Sequence, residues 1–184
     1  MNVYDFDNTL LRGDSSALFF AYCLERRPRM WADIPAQAAN ALLFLVDLRE
    51  KQAFKQRMFH YLALIGDVNA AVEGFWQENL CRIKSWYPPR HREDDVIISA
   101  SPEFLIRPAC QNLGISHVIG SQVDPRTGRF LGPNCHGAEK VVRFRERFPD
   151  GEIDEFFSDS RSDAPLAALA RQAWLVKGNR LEAW

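Results

Sequence analysis

Residues 2–11 read "NVYDFDNTLL", from Asn2 to Leu11. The stretch opens like a buried β-strand, yet two aspartates, Asp5 and Asp7, stand where such a strand would carry Val or Ile. Residues i and i+2 of an extended chain face the same side, so both carboxylates can reach one point in space. Like charges that close raise each other's pKa, and keeping both requires a compensating charge from elsewhere.

Four further segments share the strand character of the first: "DVIISA", "SHVIGS", "DEFFS" and "AWLVK". They are rich in β-branched and aromatic residues and mostly run continuously apolar, as strands covered on both faces do. Helical patterns separate them after Asp94. "PEFLIRPACQNLG" ends at Gly114, "GAEKVVRFRERFP" ends before Pro149, and "SDAPLAALARQ" carries Pro165 just after Asp163. An acidic cap with Pro in the first turn is a helix start signal. Alternating β and α elements predict an α/β fold, a Rossmann-like parallel sheet with right-handed crossovers. "QVDPRTGRFLGPN" (Gln122 to Asn134) reads as a small hairpin turning at "DPRTG".

One interval interrupts the alternation. Residues 13–89, between the first two strands, read as an all-helical cap, with residues 1–12 and 90–184 forming the α/β core. "GDSSALFFAYCLERRP" offers Asp14 or Ser15 as a cap, arginines in its last turn and Pro28 beyond. "FKQRMFHYLALIG" puts Phe54, Met58, Tyr61, Leu62 and Ile65 on one helical face before Gly66, and "VNAAVEGFWQENLCRIKSWY" continues as another helix.

Composition narrows the function classes. The 184 residues are 47% hydrophobic and 26% charged with a net charge of −1, an ordinary globular profile without the basic excess of a nucleic-acid binder. The clusters "ERRPR" and "PPRHR" have acidic neighbours and read as solvated surface. Cys23, Cys81, Cys110 and Cys135 form no C-x-x-C pair, and no signal peptide pattern precedes the first strand, so reduced thiols in a cytoplasmic protein are expected. His60, His91, His117 and His136 lack H-x-x-x-H spacing, which argues against zinc. The longest apolar run, Ala39 to Val46, falls short of the roughly 20 residues that a transmembrane span needs and reads as a buried helix; peripheral lipid contact stays open.

Ligands of open parallel sheets sit at the carboxyl ends of the strands. Three strands here end in polar residues: Asp5 and Asp7 after the first, Ser99 and Ser101 after the second, "SDSRSD" after the fourth. Each of these alone is an ordinary turn or helix cap. Together they would bring Asp5, Asp7, Asp159 and Asp163 into one crevice, where a hard divalent cation relieves the repulsion. Mg²⁺ suits one or two carboxylates completed by water and a substrate phosphate.

These residues resemble a family. "DFDNTLL" is similar to the D-x-D-x-T signature of the haloacid dehalogenase-like (HAD) hydrolases, with "IISAS" as second motif, Lys140 in "CHGAEKV" as third and "SDSRSD" as fourth, in the family's order. The helical interval stands where the phosphoserine phosphatase-like branch keeps its C1 cap. The resemblance implies a Mg²⁺-dependent phosphatase acting on a small-molecule phosphomonoester. In it Asp5 is the nucleophile that becomes an aspartyl-phosphate, and Asp7 protonates the leaving oxygen and then activates water. Asp5, Asp159 and the Asp7 carbonyl hold Mg²⁺, with Asp163 supporting the metal's waters. Ser99, the neighbouring main chain at Ala100, and Lys140 receive the phosphate oxygens, with Ser101 in support. Asp14 and Arg57 align loosely with residues that grip an amino-acid substrate, but read equally as a helix cap and a solvated helix face. "SASP" replaces the family's S-G-G and "DSRSD" its D-G-x-N-D, which leaves open whether the ester is phosphoserine-like. The aromatic cap (Phe19, Phe20, Tyr22, Trp31, Phe44, Phe54, Phe59, Phe75, Trp76) would suit a lipid phosphate. Dehalogenation, phosphonate cleavage and a non-catalytic phosphate-binding module are the alternatives; a dehalogenase would not need Asp7.

Overall fold

The computed structural model describes residues 1–45 and 57–184. Its strands are β1 (Asn2–Tyr4), β2 (Val96–Pro102), β3 (His117–Ser121), β4 (Ile153–Ser158), β5 (Ala170–Lys177) and β6 (Arg180–Ala183). They form one sheet in the order β3-β2-β1-β4-β5-β6, parallel except for β6. Successive residues of a strand face opposite sides, and both sides are apolar here. Val3, Val96, Ile98 and Phe156 pack with Phe144 and Leu166 on one face, whereas Tyr4, Ile97 and Phe157 belong to the cluster on the other.

That second cluster is built by the helical interval. Helix α1 (Ser15–Arg26) starts where the Asp14 carboxylate accepts the Ala17 N–H at 2.9 Å. A 3₁₀ stretch (Pro28–Asp33) leads to α2 (Ile34–Leu45), and a second one (Phe59–Leu64) precedes α3 (Val68–Asn79), capped by Asp67. Phe19, Phe75 and Trp76 are fully buried and join Phe6, Leu10, Leu105 and Ile106 in one continuous core. Trp76 Nε1 donates to the Leu105 carbonyl at 2.6 Å, which ties α3 to α4 (Glu103–Asn112). Helices α4 and α1 thus cover one sheet face, with α3 packed against both of them; α5 (Ala138–Arg147) and the short α6 (Ala164–Ala167) cover the other.

Several expectations are adjusted. The helix read over "SDAPLAALARQ" shrinks to α6, preceded by a 3₁₀ turn (Arg161–Asp163), because pairing of Ala170 with Ile153 and Gln172 with Glu155 draws its second half into β5. Helix α3 ends at Asn79 rather than running to Tyr87, and Ile83 instead bridges to Leu11. Strand β6 escapes the sequence reading: it is a short edge strand that folds back through Gly178, whose φ of +62° suits a two-residue turn. The 122–134 hairpin is present with a single bridge, Val123 to Phe130. Tyr61, Leu62 and Ile65 are buried as the periodicity predicts, but the first two lie on a 3₁₀ rather than an α-helical turn and Ile65 just past its end. Phe54 and Val46 lie outside the described residues. Among the described residues no helix is long and apolar enough to cross a membrane.

Candidate active site

The register decides which side chains meet. Tyr4 lies opposite both Ile97 and Phe157, so continuing each strand brings Asp5 level with Ile98 and Ser158, and Asp7 level with the Ala100 and Ser160 region. The chain runs outward through β2 and β3 on one side of β1, and through β4 and β5 on the other. The crevice between β1 and β4 is therefore the topological switch point, where such sheets bind ligands.

At its floor lies a buried ion triad. Lys140 Nζ is 2.7 Å from Asp5 Oδ1 and 2.7 Å from Asp163 Oδ2, and Ser158 Oγ donates to the same Asp163 oxygen at 2.8 Å. Lys140 stands in the first turn of α5, where the helix dipole disfavours a cation. Gly137, at φ +61°, turns the chain into that helix. Burial alone would lower the lysine's pKa, but Asp5 and Asp163 outweigh it and hold the amine charged. Burial likewise pushes Asp5 up, with Lys140 opposing.

Asp7 is held differently. One oxygen accepts the Ser15 N–H at 2.8 Å and the other accepts the Ser101 hydroxyl. Ser101 Oγ in turn meets Ser15 Oγ at 2.9 Å and Ser16 Oγ at 3.2 Å, so three buried hydroxyls join the start of α1 to the end of β2 at this carboxylate. Burial and the nearby Asp14 raise Asp7 to about 7, against the pull of Ser101. A carboxyl at that value exchanges protons near neutral pH. Ser99 Oγ accepts the Ser101 N–H at 3.1 Å, and the Ala100 carbonyl accepts Ser121 Oγ at 2.9 Å, which fixes the backbone of the second motif.

Asp159 enters from the end of β4, its N–H donating to Thr9 Oγ1 at 2.9 Å. Burial and Asp5 raise it to about 6. Among the described residues no donor from another residue reaches its carboxylate, and none reaches the Asp7 carbonyl. Two carboxylates that repel each other and a carbonyl left without a donor form an all-oxygen set that fits a hard divalent cation. No group of three or more His, Cys, Asp or Glu side chains gathers for a metal among the described residues, so any cation here would need water or substrate oxygens as well. Asp163 is engaged with Lys140 and Ser158.

The residues aligned with substrate recognition separate. Asp14 caps α1 close enough to Asp7 to be the strongest charge acting on it. Arg57 is paired with Asp33 at 2.7 Å within the helical interval. Phe19, Phe59, Phe75 and Trp76 are buried in ring-to-ring contacts, Phe20 and Tyr22 are half-buried, and Trp31 is 61% exposed. The Phe44 side chain lies outside the description. Sequence reasoning missed three residues that touch this loop or its carboxylates' supports: Thr9, Ser16 and Lys84, whose ammonium donates to the Asn8 carbonyl. The "T" of "DFDNT" was the available signal for Thr9; nothing local marks Ser16 or Lys84.

The sequence matches the haloacid dehalogenase-like hydrolase family over residues 3–168. It is similar to Protein CicA of Caulobacter vibrioides, 30% identical over 195 residues that cover 97% of this chain and 84% of the relative. It is also similar to a histidinol-phosphatase of Neisseria meningitidis serogroup C, 25% identical with 92% and 86% covered. Its fold is similar to that of a protein of unknown function from Bordetella pertussis (TM-score 0.77, 20% identity, 94% and 87% covered). It is likewise similar to that of a phosphoserine phosphohydrolase-like protein from Francisella tularensis (TM-score 0.60, 19% identity, 94% and 86% covered).

Proposed function

The chain belongs to the haloacid dehalogenase-like hydrolases, and on that premise we propose that it is a phosphatase that hydrolyses a small-molecule phosphomonoester through an aspartyl-phosphate on Asp5. The observation that carries the reading is the Lys140 bridge between Asp5 and Asp163, formed across 135 residues of chain and set beside a carboxyl, Asp7, that both β2 and α1 hold in place.

Asp5 attacks phosphorus through a carboxylate oxygen; the new O–P bond forms as the bond to the leaving oxygen breaks. Asp7 gives its proton to that oxygen, so the product leaves as an alcohol. A water then attacks phosphorus, Asp7 takes the water's proton, and cleavage of the aspartyl–phosphorus bond returns the Asp5 carboxylate and inorganic phosphate. Lys140 offsets charge as the carboxylate and the phosphoryl oxygens approach each other. Mg²⁺, held by Asp5, Asp159 and the Asp7 carbonyl, would supply further charge stabilisation to those oxygens. Ser99 and the Ala100 main chain receive the phosphate. A dehalogenase has no alkoxide to protonate, and the two hydrogen bonds that Ser15 N–H and Ser101 Oγ spend on Asp7 favour ester hydrolysis.

For the substrate, the tight mutual packing of the buried aromatic rings favours a small polar ester over a bulky lipid phosphate, and the likeness to the Neisseria histidinol-phosphatase favours the phosphate of an amino-acid-derived alcohol. Asp14, beside Asp7, suits the ammonium of such a molecule. The test is release of inorganic phosphate from a panel of amino-acid, sugar, nucleotide and lipid monoesters with Mg²⁺. Turnover of the amino-alcohol phosphates is expected; release from none of the panel by folded, Mg²⁺-supplied protein would overturn the reading.

A further inference from the structure

Lys84 lies outside the four motifs, yet it is 3% exposed and has no ion-pair partner among the described residues. Its ammonium donates instead to the main-chain carbonyl of Asn8, the residue directly after Asp7. A buried ammonium without a carboxylate partner is costly and persists only where other contacts hold it. Asn8 is the one non-glycine residue at positive φ (+53°) among the described residues, so this is also where the Asp5–Leu11 loop departs furthest from relaxed backbone.

The loop's other polar groups show what Lys84 completes. Phe6 O accepts the Leu10 and Leu11 N–H groups at 2.9 and 3.0 Å, Asn8 N donates to Gly13 O at 3.0 Å, and Leu10 O accepts the Lys84 N–H at 2.7 Å. Leu11 bridges to Ile83 and the Arg12 N–H reaches Arg82 O at 2.9 Å, which fixes the base of the Lys84 side chain against the same loop. Lys84 thus takes the Asn8 carbonyl, whereas no donor from another residue reaches the preceding Asp7 carbonyl among the described residues. Burial lowers the pKa of the amine, and Asp159 is the charge that opposes this most.

We infer that Lys84 is a positioning residue: by gripping the Asn8 carbonyl from the chain segment that returns from the helical interval, it fixes the loop that aims Asp5, Asp7 and the Asp7 carbonyl. Its catalytic consequence rests on the phosphatase reading above; its effect on the loop does not. Lys84→Met retains the apolar stem and removes the grip. Hydrogen exchange followed by mass spectrometry, in chelator and without substrate, reads the Asn8, Leu10 and Leu11 amides. Loss of a charged hydrogen bond should speed their exchange on the order of tenfold or more while α4 and β2 are unchanged. In the steady-state assay kcat should fall on the order of tenfold with KM little changed, and Lys84→Arg should recover part of both effects. Unchanged loop exchange, or equal acceleration across the whole chain, would overturn the inference. Should Lys84→Met not fold, Lys84→Gln, which withdraws the charge and shortens the reach, carries the same two readouts. If wild type hydrolyses no monoester yet the loop amides respond, the phosphatase reading fails and the positioning role stands.

Discussion

Replacing Lys140 by Met leaves the volume of the site nearly unchanged and strands two carboxylates. At 2.7 Å, with an effective dielectric constant of about 20, each Lys140–carboxylate attraction amounts to about 6 kcal/mol before desolvation. Removing the buried ammonium returns its own desolvation cost, so the net loss is smaller; breaking one buried pair typically costs about 3–5 kcal/mol. Here one cation serves two acids, which puts the expected loss at the upper end, about 4–5 kcal/mol. For a chain of this length each kcal/mol moves Tm by roughly 2–4 °C, so Lys140→Met should melt about 8–20 °C lower. The assay is thermal unfolding by circular dichroism at neutral pH in chelator, so that no cation substitutes for the lysine. Two internal checks follow from the same geometry. Lys140→Met with Asp163→Asn should regain part of the loss, because one stranded charge is gone. The deficit of the single variant should also shrink as pH falls, because the stranded acids can then take up protons. A Tm drop of under about 3 °C, or a double variant no more stable than the single one, would refute the view that Lys140 is held by charge rather than by packing.

Asp5→Asn should abolish phosphate release while the protein stays folded, since an amide cannot form the acyl-phosphate; near-wild-type turnover in the same assay would remove Asp5 as nucleophile. Chelation should silence the enzyme, and Mg²⁺ should both restore turnover and raise Tm, because a cation that binds the native state alone stabilises it. Ser101→Ala and Asp14→Asn should move the Asp7 limb of the pH–rate profile in opposite directions. The Ser101 hydroxyl favours the ionised form, so its loss carries the limb to higher pH, whereas loss of the Asp14 charge carries it lower; a common direction would show that Asp7 does not set that limb. Asp159 sits at about 6 in the folded chain, above its ordinary 3.8, so without metal its stabilising contribution is complete below about pH 4 and is lost as pH rises through 6. Allowing for its partial exposure, Asp159→Asn should therefore gain about 1–2 kcal/mol at pH 7 in chelator and lose most of the Mg²⁺-dependent rise in Tm; calorimetry showing a destabilised apo variant would contradict this.

The strands that could be read from the sequence are those covered on both faces, because continuous apolar runs such as "VII" and "FF" need no knowledge of their neighbours. Strand β6 and the first half of β5 could not be read that way. Ala170 and Gln172 are strand residues only because Ile153 and Glu155 offer them a ladder, and local propensity favours continuing the helix that Pro165 begins. The same competition shortens α3: Ile83 leaves the helical pattern because Leu11 gives it a bridge, a partner some seventy residues away.

The site divides along a similar line. Asp5, Asp7 and Asp159 were accessible because each follows the apolar run of a strand, and Ser99 because it closes the run "VII" within β2; a parallel sheet collects such positions whatever the intervening sequence. Lys140 starts a helix, and only the family's motif order marked it, since one lysine in an amphipathic helix is unremarkable on its own. Ser15, Ser16 and Lys84 act through partners set by tertiary packing: two hydroxyls at the start of α1 meet Ser101 across 85 or 86 residues, and an amine 76 residues downstream of Asn8 meets its carbonyl. The first reaches Asp7 through Ser101, and the second reaches the loop that carries Asp5 and Asp7 at Asn8. Whatever shifts α1 or the segment around Ile83 must therefore also move the Asp7 carboxylate or the loop behind it, so on the proposed mechanism the interval would belong to the acid–base apparatus as well as to the cover of the sheet.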